Sequence, residues 1–354
     1  MNNPATIIPI LIVNYNGRAY LEECLTSLAS AEDTPRHIVY IVDNASKDDS
    51  VAYLRENWPD VRLILSGTNL GFAGGNNLGW QVIKREIHGV QYIMLLNQDT
   101  VVDRNFLRPL MTVLDAEPTV GAVQPLLLLH PARDRINSLG NVIHLLGFGY
   151  SSSNNAPVAG ASLVRKQINY ASGAAVLLRV RAIDRVGLFD DFMFMYLEDL
   201  DLGWRLSLAG WESMLVPDSI IYHKYEFRRG MRQYYYFERN RLWIIFKNYK
   251  LPTLLLLLPL AIGMEIGQVV RAAMTGTFMA KLRGYAYFFS VEHLKVFHRD
   301  RRAVQHGRIK TDREMLSAFS GHIDFQPLQG PLLRYIVNPV CETYLRILRL
   351  IVIW

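Results

Sequence analysis

Short apolar runs rich in isoleucine and valine recur in the first hundred residues, at Ile7–Val13, His37–Val42, Val61–Leu65 and Tyr92–Leu96. Each gives way to glycine or polar residues. Runs of that length and composition predict strands buried on both faces, as in a parallel sheet. Between them, Arg18–Ser30 and Asp49–Asn57 space their apolar residues at helical intervals, so the chain opens as a βαβαβ unit. In an open sheet of this kind ligands bind beyond the carboxyl ends of the strands, where the strand order reverses. The unusual polar residues stand at those ends: Asn14-Tyr15-Asn16, Asp43-Asn44, Asn69 to Asn77, and Asn97 to Thr100. Ser151–Pro157 reads as a polar loop over or beside them.

After about Lys250 the pattern changes. Leu251–Met264 is almost uninterruptedly apolar until Glu265. This uncharged run of 14 residues is short of the roughly 20 a helix needs to cross a bilayer. It predicts an in-plane or re-entrant amphipathic segment. Leu332–Trp354 sets Arg334, Arg346 and Arg349 among apolar residues at helix-like intervals and ends in tryptophan, which suits a headgroup boundary. Packing of both segments in a core or a homodimer interface is the other reading. The expected organisation is an α/β domain over residues 1–249 followed by a helical region over 250–354.

With 354 residues, 50% of them hydrophobic, the chain can bury a sizeable core. Its formal charge of +6, with basic residues concentrated after about position 224 (Arg228-Arg229, Arg301-Arg302, Arg346 to Arg349), calls for an anionic partner. No groove-reading or base-stacking module accompanies that charge, so a membrane surface is favoured over nucleic acid. The two cysteines, Cys24 and Cys341, have neither metal-ligand spacing nor a disulfide pattern and fit a reducing cytoplasm. The Ile7–Val13 run has no positive leader and no small-residue cleavage site, and reads as a strand rather than a signal peptide.

The candidate chemistry lies at the strand ends and in one acidic segment. Asp43 can accept hydrogen bonds from a nucleobase or ribose, or it can belong with Asn44, Ser46 and Asp48 to a helix N-cap cluster. Asn69-Leu-Gly71-Phe72-Ala-Gly74-Gly75-Asn76-Asn77 lets the backbone approach a ligand and offers free N–H groups from the following helix. It lacks the Gly-Lys-Ser/Thr ending of a P-loop. Asn97-Gln98-Asp99 places one carboxylate and two amides where a divalent cation bridging two phosphates could be held. Glu198, Asp199 and Asp201 stand in an aromatic setting just before a helical pattern, where they can cap the helix; Glu198-Asp199 also suit a general base in a partly dry cleft, and Asp201 is a candidate for acceptor or pyrophosphate binding. His223, closing a short strand, is a candidate to complete the shell of an ion at Asp99. Arg239-Asn240-Arg241 can clamp pyrophosphate or form a solvated helix face.

Taken in order, Val-Asn-Tyr-Asn-Gly, Val-Asp-Asn-Ala-Ser, Asn-Leu-Gly-Phe-Ala-Gly-Gly-Asn-Asn, Leu-Asn-Gln-Asp-Thr, Gly-Leu-Phe-Asp-Asp…Tyr-Leu-Glu-Asp-Leu-Asp-Leu and Tyr-His resemble the family-two glycosyltransferases with a GT-A fold. The likeness covers roughly Ile7 to Tyr249 and is strongest to the rhamnosyltransferase-like branch that builds bacterial cell-surface polysaccharides. The resemblance implies a Rossmann-like mixed sheet flanked by helices. It also implies that Asp43 binds the nucleobase with help from Asn14 and Tyr15, and that Asp199, paired with Glu198, is the catalytic base. Asn97-Gln98-Asp99 stands in for the family's Asp-x-Asp, leaving Asp99 as its sole carboxylate. His223 becomes the second ligand of a Mg²⁺ or Mn²⁺ ion. The implied reaction is an inverting transfer from dTDP-rhamnose, or from a UDP-hexose, to a polyprenyl-diphosphate-linked saccharide at the cytoplasmic face of the membrane. Nucleotidyl transfer would show a basic Gly-rich loop after the first strand, where Asn14-Tyr-Asn-Gly stands instead. A scaffold that binds sugar nucleotide without turnover is the non-enzymatic alternative.

Overall fold

The computed structural model describes residues 7–32, 35–151, 153–225, 231–324 and 330–354. The basic pair Arg228-Arg229 lies outside the described residues. In chain order the elements are β1 (Ile8–Asn14), α1 (Arg18–Ala29), β2 (His37–Asp43), α2 (Ser50–Asn57), β3 (Arg62–Leu65), α3 (Gly71–Glu86), β4 (Tyr92–Asn97), β5 (Thr100–Val102), α4 (Arg108–Ala116), β6 (Val120–Leu129) and β7 (Ile136–Ser138). There follow β8 (Val142–Ile143), β9 (Gly149–Tyr150), β10 (Lys166–Ile168), β11 (Ala175–Arg179), α5 (Val180–Val186), α6 (Glu198–Leu208) and β12 (Glu212–His223). The chain closes with α7 (Met231–Asn248), α8 (Leu251–Met274), α9 (Phe278–Ala286), α10 (Val291–Gly307), α11 (Asp312–Ala318) and α12 (Asn338–Ile351).

These elements form two compact units. The first comprises residues 1–141, 153–206 and 211–226; the second comprises 142–152, 207–210 and 227–354, so α7 groups with the helices that follow it.

The first unit is built on a mixed sheet in the order β10-β12-β6-β11-β4-β1-β2-β3, with β5 on β12 and β7 on β6. Strands β3, β2, β1 and β4 are parallel, whereas β11 runs antiparallel to both β4 and β6. The four strands read from apolar runs are present within a residue or two at either end. Strand β1 shows why: Ile8, Ile10 and Ile12 enter the core shared with Leu21, Cys24, Leu25 and Leu28 of α1, while Leu11 and Val13 meet α3 on the opposite face. Both faces are covered, so the strand is apolar throughout. A Cβ at Gly79 would stand 2.3 Å from Leu11 Cδ1, so glycine is what lets α3 lie directly on β1. Residues Asn155 and Ala156 of the polar loop are stitched to Ile136 of β7 by backbone hydrogen bonds.

The second unit is mainly helical and includes the small β8-β9 sheet. Helix α8 continues through Glu265 to Met274, 24 residues in all, which corrects the 14-residue estimate. Glu265 does not end the helix because its charge is matched inside the unit by Arg241 and Lys281. Among the described residues, α8 alone is long and apolar enough to cross a bilayer by length and composition.

Candidate active site

Parallel pairing brings the strand ends together. Asn14 stands in register with Asp43, and Val13 with Asn97. Asn14 Nδ2 donates to Asp43 Oδ2 at 2.8 Å and to Ser46 Oγ at 3.1 Å, and the Ser46 N–H donates to Asp43 Oδ1 at 3.0 Å. Asp43 is only 3% exposed, so it organises this corner from beneath. Asn14 Oδ1 is buried with no partner among the described residues. The Tyr15 N–H donates to Gln98 Oε1 at 3.1 Å, and Asn16 Oδ1 accepts from the Lys47 N–H at 2.7 Å. The Tyr15 ring and Asn16 face solvent. The ends of β1, β2 and β4 are thus one polar cluster with an exposed lip. Asn97 is held through its backbone, its N–H donating to Ala174 O and its O accepting from Thr100 Oγ1.

The Asn-Gly segment is placed differently from its loop-like reading, because α3 begins at Gly71 itself. Asn69 Oδ1 accepts from the Gly71 N–H at 2.8 Å, and Asn44 ties Asn69, Leu70 and Gly71 to the end of β2. Gly71 has φ +71°, and a Cβ there would sit 2.3 Å from Phe194 O, a position only glycine fills without strain. Gly74 and Gly75 lie inside the helix, where their bare faces meet Leu70 and Val13. Asn76 donates to Phe72 O in its own helix. Asn77 reaches the acidic segment, donating to Phe189 O at 2.7 Å and Asp191 Oδ1 at 2.5 Å while accepting from the Phe189 N–H. Both asparagines make protein contacts, and the start of α3 positions the acidic segment.

That segment is further fixed by the Ala73 N–H, which donates to Phe194 O at 3.1 Å. Phe194, Tyr196 and Leu197 have φ of 62°, 71° and 66°, sparsely populated values that cluster at functional sites. They deliver Glu198 and Asp199 to the first turn of α6. Glu198 is buried, its Oε2 has no hydrogen-bond partner among the described residues, and desolvation with the neighbouring Asp199 charge pushes its carboxyl well above the usual range. Asp199 is less enclosed. Burial raises its pKa, against hydrogen bonds from the Gly173 N–H at 3.1 Å and the Leu200 N–H at 2.7 Å. A small cavity beside Asp199 is lined by Ala122, Val176, Leu178, Phe189 and Leu202, which accounts for the desolvation. Asp201 is sealed within the unit and accepts from Arg205 Nε at 2.6 Å, and Arg205 in turn holds the carbonyls of Val186, Gly187 and Leu188. Its role here is to brace the acidic segment.

Antiparallel pairing of β12 with β5 sets His223 opposite Thr100, so His223 Nε2 comes 3.3 Å from Asp99 Oδ1. That approach lacks hydrogen-bond geometry, since Asp99 Oδ1 is buried without a partner among the described residues. His223 Nδ1 lies 2.9 Å from Asn137 Oδ1. With Nδ1–H donating to that oxygen, Nε2 presents its lone pair to a carboxylate oxygen that also has no donor. Two facing acceptors are what a cation relieves. The pair suits Mg²⁺ or Mn²⁺, which take one or two protein ligands and complete the shell with phosphate oxygens and water. Among the described residues no three His, Cys, Asp or Glu side chains gather for a metal, so the remaining ligands would have to come from elsewhere. Asn137 carried no sequence signal, because its relation to His223 exists only through the sheet.

Arg239, Asn240 and Arg241 belong to the second unit and are buried, so the solvated-face reading is overturned. The Arg239 guanidinium lies over the rings of Tyr235, Tyr236 and Tyr287, and that of Arg241 is paired with Glu238 and Glu265.

Comparison with known proteins agrees with this architecture. The model of glycosyl transferase family 2 matches residues 10–186. The chain is 29% identical over 241 residues to the N-acetylglucosaminyl-diphospho-decaprenol L-rhamnosyltransferase of Mycobacterium tuberculosis, covering 62% of this chain and 76% of that protein. It is 26% identical over 226 residues to rhamnosyltransferase WbbL of Escherichia coli K12, covering 60% of this chain and 81% of the relative. Among solved structures it is similar to GalNAc-T7 with UDP, GalNAc and Mn²⁺ (TM-score 0.57, 14% identity), covering 71% of this chain and 49% of that one. It is also similar to residues 1–349 of S. aureus TarS with UDP (TM-score 0.50, 13% identity), covering 97% of this chain and 90% of the other. The shared architecture is the GT-A fold.

Proposed function

We propose, because this chain belongs to glycosyl transferase family 2, that it is an inverting enzyme moving rhamnose from dTDP-rhamnose to a polyprenyl-diphosphate-linked saccharide in cell-surface polysaccharide synthesis. The observation that carries the catalytic reading is the carboxylate pair: Glu198 is enclosed with its pKa well above normal, and Asp199 is more open and held by two backbone N–H groups. Environments that differ in this way assign different roles to adjacent acids. Glu198 stays protonated and uncharged, while Asp199 is the base. The rhamnose donor and lipid-linked acceptor are supported by the two rhamnosyltransferase relatives, one of them named for a diphospho-decaprenol substrate. A lipid-linked acceptor calls for a cytoplasmic membrane surface, and the second unit is the part suited to it.

Tyr15 and Asn16 form the exposed wall of the nucleotide site, shaped from below by Asp43, Asn14 and Ser46, with Gln98 bridging toward the diphosphate end. Asp99 and His223, the latter oriented by Asn137, would hold the metal. A Mg²⁺ or Mn²⁺ ion held there would supply positive charge against the departing diphosphate. Asp199 accepts the acceptor's hydroxyl proton as that oxygen bonds to the anomeric carbon from the face opposite the diphosphate. The carbon–oxygen bond to the diphosphate breaks, the nucleoside diphosphate leaves with the electron pair, and the single displacement inverts the centre.

A screen of dTDP-rhamnose against UDP-hexoses, with Mg²⁺ or Mn²⁺, reads both turnover and thermal stabilisation. A donor at about 100 times its Kd adds about 2.7 kcal/mol of apparent stability. Preference for a UDP-hexose would transfer the assignment to a hexosyltransferase. Binding without turnover on any acceptor would leave a sugar-nucleotide-binding scaffold.

A further inference from the structure

Helix α8 is apolar enough to span a bilayer, yet it is two-sided. Leu251, Leu255, Leu258, Ile262, Ile266 and Val270 follow one another at steps of three and four and are all exposed, forming one stripe along the helix. The other side is bound into the second unit. Thr253 Oγ1 donates to Asp312, Glu265 pairs with Arg241 and, at 2.7 Å, with Lys281, and Gln268 Oε1 accepts from Lys281 Nζ at 3.2 Å. Lys281 is fully buried and Arg241 nearly so. Helix α12 repeats the pattern, with Cys341, Leu345 and Leu348 buried on one side and Val340, Ile347 and Leu350 exposed on the other.

We infer that α8 lies in the plane of an anionic leaflet, its stripe immersed at the headgroup–acyl boundary, and does not cross the membrane. This rests on and sharpens the membrane-surface reading above. A crossing α8 would take Glu265, Arg241 and Lys281 into hydrocarbon together with the helices they tie, and intramembrane charge is expensive. An in-plane α8 keeps that cluster on the protein side and gives lipid only the stripe. Electrostatics selects the occupant. Residues 227–354 carry 20 Lys and Arg against 8 Asp and Glu, and Arg271, Arg283, Arg334 and Arg346 are exposed on the same helices or beside them. A second copy would meet this surface with the same excess of positive charge, whereas anionic headgroups complement it.

The test uses the full chain with vesicles of phosphatidylcholine alone or mixed with phosphatidylglycerol. Flotation should recover the protein with the anionic vesicles, and the Leu255→Glu/Ile262→Glu variant should lower the partition coefficient on the order of 100-fold. Arg271→Ala/Arg346→Ala should weaken binding only to anionic vesicles and lessen its salt dependence. Cysteines introduced at 255, 262 and 270, with Cys24 and Cys341 replaced by serine, carry an environment-sensitive dye. Equal shallow depth at all three is expected. A label at 262 near the bilayer centre, with 255 and 270 nearer opposite faces, would establish a span and overturn the inference. So would failure to bind anionic vesicles, or a concentration-dependent dimer abolished by Ile262→Glu. Transfer to a short-chain water-soluble acceptor should survive Leu255→Glu/Ile262→Glu. An enzyme that transfers sugar but ignores vesicles sinks only the membrane inference, and one that binds vesicles without transferring any sugar sinks only the proposed function.

Discussion

Replacing Asp199 with Asn tests the assignment of the base most directly, because the structure separates its catalytic consequence from its structural one. Asp199 accepts one backbone hydrogen bond on each carboxylate oxygen, from Gly173 at 3.1 Å and Leu200 at 2.7 Å. Asn retains one acceptor and turns an NH₂ toward the other donor, so one hydrogen bond is lost. Its net worth is about 1 kcal/mol, which appears as a modest fall in Tm. Removing the proton acceptor costs about 10²- to 10⁴-fold, or roughly 3 to 5 kcal/mol of barrier. The assay is nucleoside diphosphate release at saturating donor, with KM and Tm measured alongside. The expected result is a collapse in kcat with the donor KM nearly constant and the fold intact.

The neighbouring acid sharpens the test. Glu198 is protonated in its enclosed position, so Gln replaces one neutral group by another, and Glu198→Gln should be the milder lesion. Because burial also raises Asp199, the acid limb of kcat/KM should fall at a pH above the usual carboxylate range. Should Glu198→Gln prove the more damaging, or both variants keep turnover within a few-fold of the parent, the roles given to the pair are wrong.

Other perturbations reach different parts of the site. Asp99→Ala and His223→Ala should each abolish or strongly weaken Mn²⁺-dependent donor binding in isothermal titration, and unchanged affinity in both removes the ion from the scheme. Asn137→Ala frees the His223 ring to adopt the wrong tautomer and should weaken Mn²⁺ affinity about 10- to 100-fold, read by manganese paramagnetic resonance without donor. Gly71→Ala places a Cβ against Phe194 O at a left-handed φ and should cost about 2 to 4 kcal/mol of stability by denaturant titration; a neutral outcome would show that the segment before Glu198 is not held there. Glu198→Gln should also change the pH dependence of folding. A carboxyl whose folded pKa is raised contributes stability that is present at low pH and lost as pH rises through the folded value, so the variant's Tm relative to the parent should climb over that range. Parallel Tm curves would contradict the enclosed, protonated Glu198.

What could be read from the chain alone follows the range of the physics involved. Ile8 to Ile12 announce a strand because burial on both faces leaves its mark on consecutive residues, and Glu198-Asp199 stand out because adjacent acids among aromatics are costly without a use. The Gly71 to Gly75 stretch reads as a ligand-binding loop because a glycine needed where a helix packs onto β1, as Gly75 is against Val13, looks the same in sequence as one that admits a ligand. From sequence the apolar segment of α8 reads as ending at Glu265, because a lone charge is indistinguishable there from one balanced by Arg241 and Lys281 across other helices. Asn137 has no local signal for the same reason: its contact with His223 joins residues 86 positions apart, and only the pairing of both β7 and β12 with β6 creates it. Local pattern therefore reveals which groups can react, while the sheet decides which are oriented. In this protein two of the orienting residues, Gly173 and Asn137, have no local signature, and Asn77 is legible only as a ligand candidate; their contacts to Asp199, His223 and Phe189 turn a row of polar strand ends into a candidate site.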